Sequence, residues 1–245
     1  MLEIKNLNKH FGGIKAVDGC SFEVKAGTIT ALIGPNGAGK STVFNLIFGI
    51  LKPDSGMVVF GGKDITNKSP EKISNIGFSR VFQQASLFDN LKVKDNLLLA
   101  IDNEDTKFWK TFLGFNRITK EKEKKVNEAL KLVDMEKFKD YLAGDLSYGQ
   151  KRLIELARAI INPHTILILD EPVAGVNPKL RKQIIEVLNN LKKQGDTILL
   201  IEHDMDFTLN ISDNVIVMDK GEVIATGSPN KIKNNPQVLE AYLGE

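Results

Sequence analysis

Apolar and polar positions alternate along the first part of the chain. Leu2 and Ile4, Phe22 and Val24, then Ile29, Ala31 and Ile33 are each separated by one residue. A period of two places one set of side chains on one face of a strand, so residues 1–35 read as strands. The run Thr28–Ile33 ends in a Gly/Pro/Asn-rich loop, and a helix-like stretch follows over Ser41–Ile50. Strand, tight loop and helix make one α/β unit. Asp54-Ser55-Gly56 is a turn signal ahead of a short strand at Met57–Phe60.

The middle of the chain changes character. Val93–Ile101 reads as helix, and Thr119–Val133 is a charged amphipathic helix with Val126, Leu130 and Val133 on one face. Between them, Asp102–Ile118 mixes charges with Phe108, Trp109, Phe112 and Phe115. That segment reads as a small satellite core under a helical lobe, with a partner-docking surface as the alternative. The last hundred residues return to α/β alternation. Thr165–Leu169 is an apolar run of the buried-strand type. Pro178 to Lys193 is a helix, Thr197–Ile201 a strand, Met205–Ile211 a helix and Val215–Met218 a strand. Lys220-Gly221 turns a hairpin into Val223–Ala225, and the tail 229–245 is two short helical pieces broken at Pro236.

Composition narrows the class. A chain of 245 residues suits one large domain, or one domain with a lobe. Lys+Arg is 33 against Asp+Glu 31, a net charge of +2, which argues against a protein that binds nucleic acid through bulk charge. With 42% hydrophobic and 26% charged residues, the chain is not of the disordered type. Cys20 stands alone, which points to a reducing compartment. No apolar stretch approaches the roughly 18–20 residues that span a bilayer. The N-terminal residues lack the apolar core of a signal peptide. The expectation is a soluble, cytoplasmic chain that meets a membrane only through a partner.

The first chemistry lies in Gly34-Pro35-Asn36-Gly37-Ala38-Gly39-Lys40-Ser41, which fits G-x-x-x-x-G-K-[ST]. Glycines let backbone N–H groups turn inward around phosphate oxygens. The following helix aims its N-terminus at the same anion. Lys40 reaches the β- and γ-phosphates, the Ser41 hydroxyl can ligate Mg²⁺, and Thr42 continues the nucleotide-binding set. An apolar strand before the loop and a helix after it supply the right context.

A second group is Asp170-Glu171, at the end of the apolar run Ile166-Leu167-Ile168-Leu169. Ligands of open α/β sheets sit at the carboxyl ends of strands. Asp170 would hold Mg²⁺, and Glu171 would orient or deprotonate the attacking water. Alone, an apolar run ending in Asp-Glu could be an ordinary strand-ending turn. With the phosphate loop it points to nucleotide hydrolysis.

Leu146-Ser147-Tyr148-Gly149-Gln150 looks like the ABC signature, and with it the sequence resembles the nucleotide-binding subunit of ABC transporters over essentially its whole length. The resemblance implies an α/β fold: a P-loop NTPase core with an antiparallel β subdomain and a helical signature subdomain. It implies one nucleotide-binding domain over 1–245, with a helical lobe of roughly 84–160 and a C-terminal tail at 229–245. A helix, Lys151–Ile161, follows the signature. Ser147, Gly149 and Gln150 would form a second anion site that meets the ATP held by another chain, paired head to tail as a homo- or heterodimer. Gln83, in Val81-Phe82-Gln83, resembles the glutamine that contacts metal and water. His203, 32 residues after Glu171, resembles the switch histidine at the γ-phosphate. Phe11, in Phe11-Gly12-Gly13, looks like the aromatic that stacks on adenine.

Two positions depart from the usual family pattern: Tyr148 replaces Gly, and Asn177 in Ala174-Gly175-Val176-Asn177 replaces Asp. Both are similar to the branched-chain amino acid importer group, as are the aromatic insertion at Phe108–Phe115 and the tail at 235–245. The resemblance thus implies an ATPase, with ATP and Mg²⁺, that powers an importer through transmembrane permease subunits on the inner face of the cell membrane. No nucleic-acid partner is expected. The alternatives are the ATPase of a lipopolysaccharide-type exporter and a soluble, non-transport ABC protein.

Overall fold

The structure, a computed structural model, describes residues 1–81, 87–102 and 119–243. The described residues hold ten strands: β1 (Leu2–Phe11), β2 (Ile14–Val24), β3 (Ile29–Ile33), β4 (Ser55–Phe60), β5 (Lys63–Asp64), β6 (Phe78–Val81), β7 (Ile166–Asp170), β8 (Ile198–Ile201), β9 (Asn214–Asp219) and β10 (Glu222–Gly227). They form a four-stranded antiparallel sheet of order β2-β1-β4-β5 and a six-stranded sheet of order β10-β9-β3-β8-β7-β6. In the second sheet β9, β3, β8 and β7 are parallel, and β10 closes an antiparallel edge on β9.

The burial patterns follow from these sheets. β3 and β8 are buried at every position, as two-sided burial requires of central parallel strands. β2 alternates along its second half, with Cys20, Phe22 and Val24 buried. The inward side chains of the first sheet meet Leu32, Val43, Phe44, Ile168, Ile201 and Met218 in one core. Phe44, Phe48, Phe78 and Phe60 form an aromatic chain through it, with centroids 4.6–5.9 Å apart. Burying a side chain of that kind contributes about 1.5–3 kcal/mol.

Two compact units appear: Met1–Ser79 with Thr165–Glu171 and Asn189–Glu245, and Arg80–His164 with Pro172–Leu188. The second is helical. Helices Val93–Asp102, Lys120–Leu132 and Tyr148–Ile160 pack together through Val93, Leu97, Val126, Leu130, Leu153 and Ile154, all nearly fully buried. Thr119 caps the second of these, its side chain accepting the Lys122 N–H at 3.2 Å.

Several elements differ from the sequence expectation. The helix after the phosphate loop is Lys40–Ile47 rather than reaching Ile50. The Ile50 and Leu51 amides both return to the Asn45 carbonyl, which closes its end early. The signature helix starts at Tyr148, three residues before Lys151, because Ser147 caps it. Helix Pro70–Asn75 and the strands β5 and β6 were not legible from periodicity, being only two to six residues long. The aromatic segment with Phe108, Trp109, Phe112 and Phe115 lies outside the described residues, as does Gln83. Among the described residues no helix is long and apolar enough to cross a membrane.

Candidate active site

The phosphate loop leaves the carboxyl end of β3, and the elements around it leave little room. A Cβ on Gly39, which sits at φ 98°, would run into the Ala16 carbonyl of β2. A Cβ on Gly34 would meet the Met218 carbonyl of β9. The Gly221 N–H donates to Ala38 O at 3.1 Å, and the Asp18 N–H to Gly221 O at 2.9 Å. So β2, β9 and the β9–β10 turn fix the loop from three sides. Asn36, Gly37 and Ser41 remain exposed, and Thr42 is half-buried. The Lys40 ammonium donates to the Gly34 and Pro35 carbonyls at 2.6 and 2.8 Å. It is held inside the turn of the loop, where a phosphate oxygen would sit among the backbone N–H groups.

The parallel register places three loops side by side. β3, β8 and β7 are consecutive neighbours in the sheet. Their carboxyl ends carry the phosphate loop, Glu202-His203 and Asp170-Glu171. Asp170 pairs with Ile201, and the Glu171 N–H donates to Ile201 O at 2.9 Å. Glu171 takes a left-handed backbone, φ 48°. Its Oε1 lies 3.3 Å from Nδ1 of His203, whose side chain is about half exposed. The Glu202 side chain is fully buried and accepts the His203 N–H at 3.3 Å. Asp204 caps the helix Met205–Ile211 by accepting the Phe207 N–H at 2.8 Å. His203 is therefore bracketed by two anchored acids. The sequence pattern alone does not single out Glu202, although a charge directly after an apolar strand is a usable signal.

Phe11 ends β1 and is 45% exposed, so it is not a core aromatic. The antiparallel pair Phe11↔Ile14 puts an exposed Ile14 beside it. The Lys9 ammonium lies 5.5 Å from the Phe11 ring centroid.

In the helical unit the signature forms a capping box. Ser147 Oγ accepts the Gln150 N–H at 3.4 Å, and Gln150 Oε1 accepts the Ser147 N–H at 2.9 Å. This leaves Tyr148 and Gly149 in the first turn of a 13-residue helix, whose N-terminus carries partial positive charge. The Arg152–Glu155 pair, 3.1 Å apart and almost wholly buried, anchors the helix behind them. The two departures from the family pattern share one cleft of about 500 Å³. There Tyr148 faces Gly175, and Asn177 Oδ1 accepts the Leu180 N–H at 3.0 Å, capping the helix Pro178–Lys193.

The donor set suits a hard cation. Ser41 offers an exposed hydroxyl and Asp170 a partly exposed carboxylate, the oxygen ligands Mg²⁺ prefers. Among the described residues no group of three or more His, Cys, Asp or Glu could hold a metal by itself.

Comparison with known proteins gives concordant results. The ABC transporter family model matches residues 17–174, and the model for the branched-chain amino acid ATP-binding cassette transporter matches residues 222–245. A probable branched-chain amino acid transport ATP-binding protein, LivG, of Archaeoglobus fulgidus is 42% identical, with 100% of this chain and 95% of that protein covered. The ADP conformation of MJ1267, an ATP-binding cassette of an ABC transporter, superposes with a TM-score of 0.87 at 38% identity, covering 100% of this chain and 99% of that one. The dimeric post-hydrolysis structure of the ATP-binding cassette MJ0796, bound to ADP and Pi, has a TM-score of 0.79 at 26% identity over 94% of this chain and 99% of that one.

Proposed function

The chain belongs to the ABC transporter family, and on that premise we propose that it is the ATP-hydrolysing subunit of a membrane importer for branched-chain or other hydrophobic amino acids. The observation that carries the hydrolytic part is the row of three parallel strand ends. β3, β8 and β7 bring the phosphate loop, His203 and Glu171 to one edge of one sheet. Transport of amino acids is supported by the name of the 42% identical relative and by the family match at residues 222–245. That C-terminal match favours the importer over the exporter reading.

ATP enters with its base on Phe11 and its phosphates in the loop 34–42, against Lys40 and the backbone N–H groups. Ser41 and Asp170 would hold Mg²⁺, which would supply charge neutralisation to the phosphates. Glu171 accepts a proton from the water that attacks the γ-phosphorus. The bond to the β–γ bridging oxygen breaks, giving ADP and phosphate. His203 donates a hydrogen bond to the γ-phosphoryl oxygens as charge develops there.

ABC cassettes pair, as the dimeric MJ0796 illustrates. For this chain we read a head-to-tail pair, in which Ser147, Gly149 and Gln150 of one chain meet the phosphates on the other. Permease subunits hold the pair on the cytoplasmic face of the membrane. The whole of 1–245 then acts as one nucleotide-binding domain.

Reconstitution with its permeases in vesicles tests the reading. ATP-dependent uptake of labelled leucine is the expected result, and ATP-dependent release instead would overturn the direction. Ser147→Arg tests the pairing. Mixed dimers of Ser147→Arg with wild type should lose one of their two sites, and unchanged turnover would count against head-to-tail assembly.

A further inference from the structure

Pairing between β1 and β4 stops at Asn8↔Ser55. The last three residues of β1, Lys9 to Phe11, run on beyond β4. Their pairing to β2 is also irregular, with register shifts between Leu7 and Lys9 and between Lys9 and His10. A strand end of this kind frays unless something replaces the missing ladder. Asp54, in the turn before β4, does so. Its N–H donates to Asn8 O at 2.9 Å, and its Oδ2 accepts the His10 N–H at 2.7 Å and faces His10 Nδ1 at 3.1 Å. Its other oxygen, Oδ1, accepts from the Lys9 ammonium at 2.8 Å. The Lys9 side chain is only 17% exposed, and its ammonium lies over the Phe11 ring.

One carboxylate therefore grips the backbone one residue before the aromatic and also the cation on that aromatic's face. Resting on the reading of Phe11 as the base-stacking residue, we propose that Asp54 is a positioning residue for nucleotide binding: through Lys9 and the His10 amide it holds the Phe11 ring ready for the purine. Asp54 touches neither nucleotide nor reacting atoms. It keeps the ring from sampling other rotamers, so less freedom is lost when the base stacks.

The link concerns the base and not the phosphates, which gives a clean test. Affinities for ATP and for inorganic tripolyphosphate are measured by calorimetry on the full chain. Phe11→Ala should weaken ATP by at least about fivefold and leave tripolyphosphate unchanged. Asp54→Asn keeps an acceptor for the His10 N–H but loses the charge that grips Lys9. It should weaken ATP by about two- to fivefold, again without effect on tripolyphosphate. Lys9→Met, which leaves the backbone clip intact, should do the same and covers the case of an Asp54 variant that folds poorly. Asp54→Asn added to Phe11→Ala should cause no further loss.

Equal weakening of both ligands would reduce Asp54 to a structural residue and overturn the proposal. So would unchanged ATP affinity in both the Asp54 and Lys9 variants, or additive losses with Phe11→Ala. If Phe11→Ala leaves ATP binding unchanged, it is the stacking reading that falls, and the positioning role falls with it.

Discussion

His203 Nδ1 lies 3.3 Å from Glu171 Oε1, and the two residues leave neighbouring parallel strands. Glu171 reaches that position with a left-handed backbone, which costs a non-glycine residue on the order of 1 kcal/mol or more. The Glu171 N–H bond to Ile201 O holds the turn in place. On the proposed reading, a carboxylate held by this turn against His203 suits a base that must be ready before the water arrives.

Glu171→Gln keeps the size of the side chain and an oxygen that can face His203, but it cannot take a proton. ATP affinity should stay within about twofold, and hydrolysis should fall by about 100-fold or more. Phosphate release measures the second, and light scattering should show a dimer persisting with ATP. A variant that stays monomeric while hydrolysing normally would remove Glu171 from the role of base.

Gly39→Ala tests the packing of the phosphate loop. The residue sits at φ 98° and faces the Ala16 carbonyl, so alanine adds both backbone strain and a collision. We expect a loss of about 2 kcal/mol or more. For a chain of this size that lowers the melting temperature by roughly 4–8 °C, and added ATP should no longer raise it. A variant that melts like wild type and is still protected by ATP would show that β2 does not constrain the loop.

The parts of the site legible in the sequence were those built from contiguous residues. The loop 34–41 declares its chemistry by glycine spacing, and β7 and β8 declare themselves as apolar runs that end in acids. The sheet order that places β8 between β3 and β7 is a tertiary fact, and no local period reports it. Asp54 read as a plain turn residue, because its partners His10 and Lys9 lie 44 and 45 residues away. The signature helix starts three residues before Lys151, where the sequence pattern puts it, for a different reason. Ser147 followed by Gln150 is a capping box, and that cue outweighs the weak helical pattern of Tyr148 and Gly149.

Asn177 shows why the loss of a charge can be tolerated there. Its Oδ1 caps the helix Pro178–Lys193 through the Leu180 N–H, a task that needs an acceptor and not a charge. Asn177→Ala should therefore cost about 1 kcal/mol, or roughly 2–4 °C in melting temperature. Asn177→Asp should keep the cap and match or exceed the wild-type melting temperature, since a negative charge favours a helix N-terminus. Equal losses in both variants would mean that the amide nitrogen, and not the oxygen, carries the function.

The acid response of the β1 end can be read from Asp54. Hydrogen bonding to Lys9, then to the His10 N–H and imidazole, lowers its carboxyl from 3.8 to about 2. A folded value below the unfolded one means that the ionised form is favoured by folding. The stabilisation is fully present above about pH 4 to 5, shrinks as the pH falls, and is gone below about 2. Asp54→Asn removes this titration. The gap in melting temperature between wild type and Asp54→Asn should therefore close between about pH 4 and pH 2. A gap unchanged at pH 2 would show that Asp54 stabilises the turn by shape alone, without its charge on Lys9.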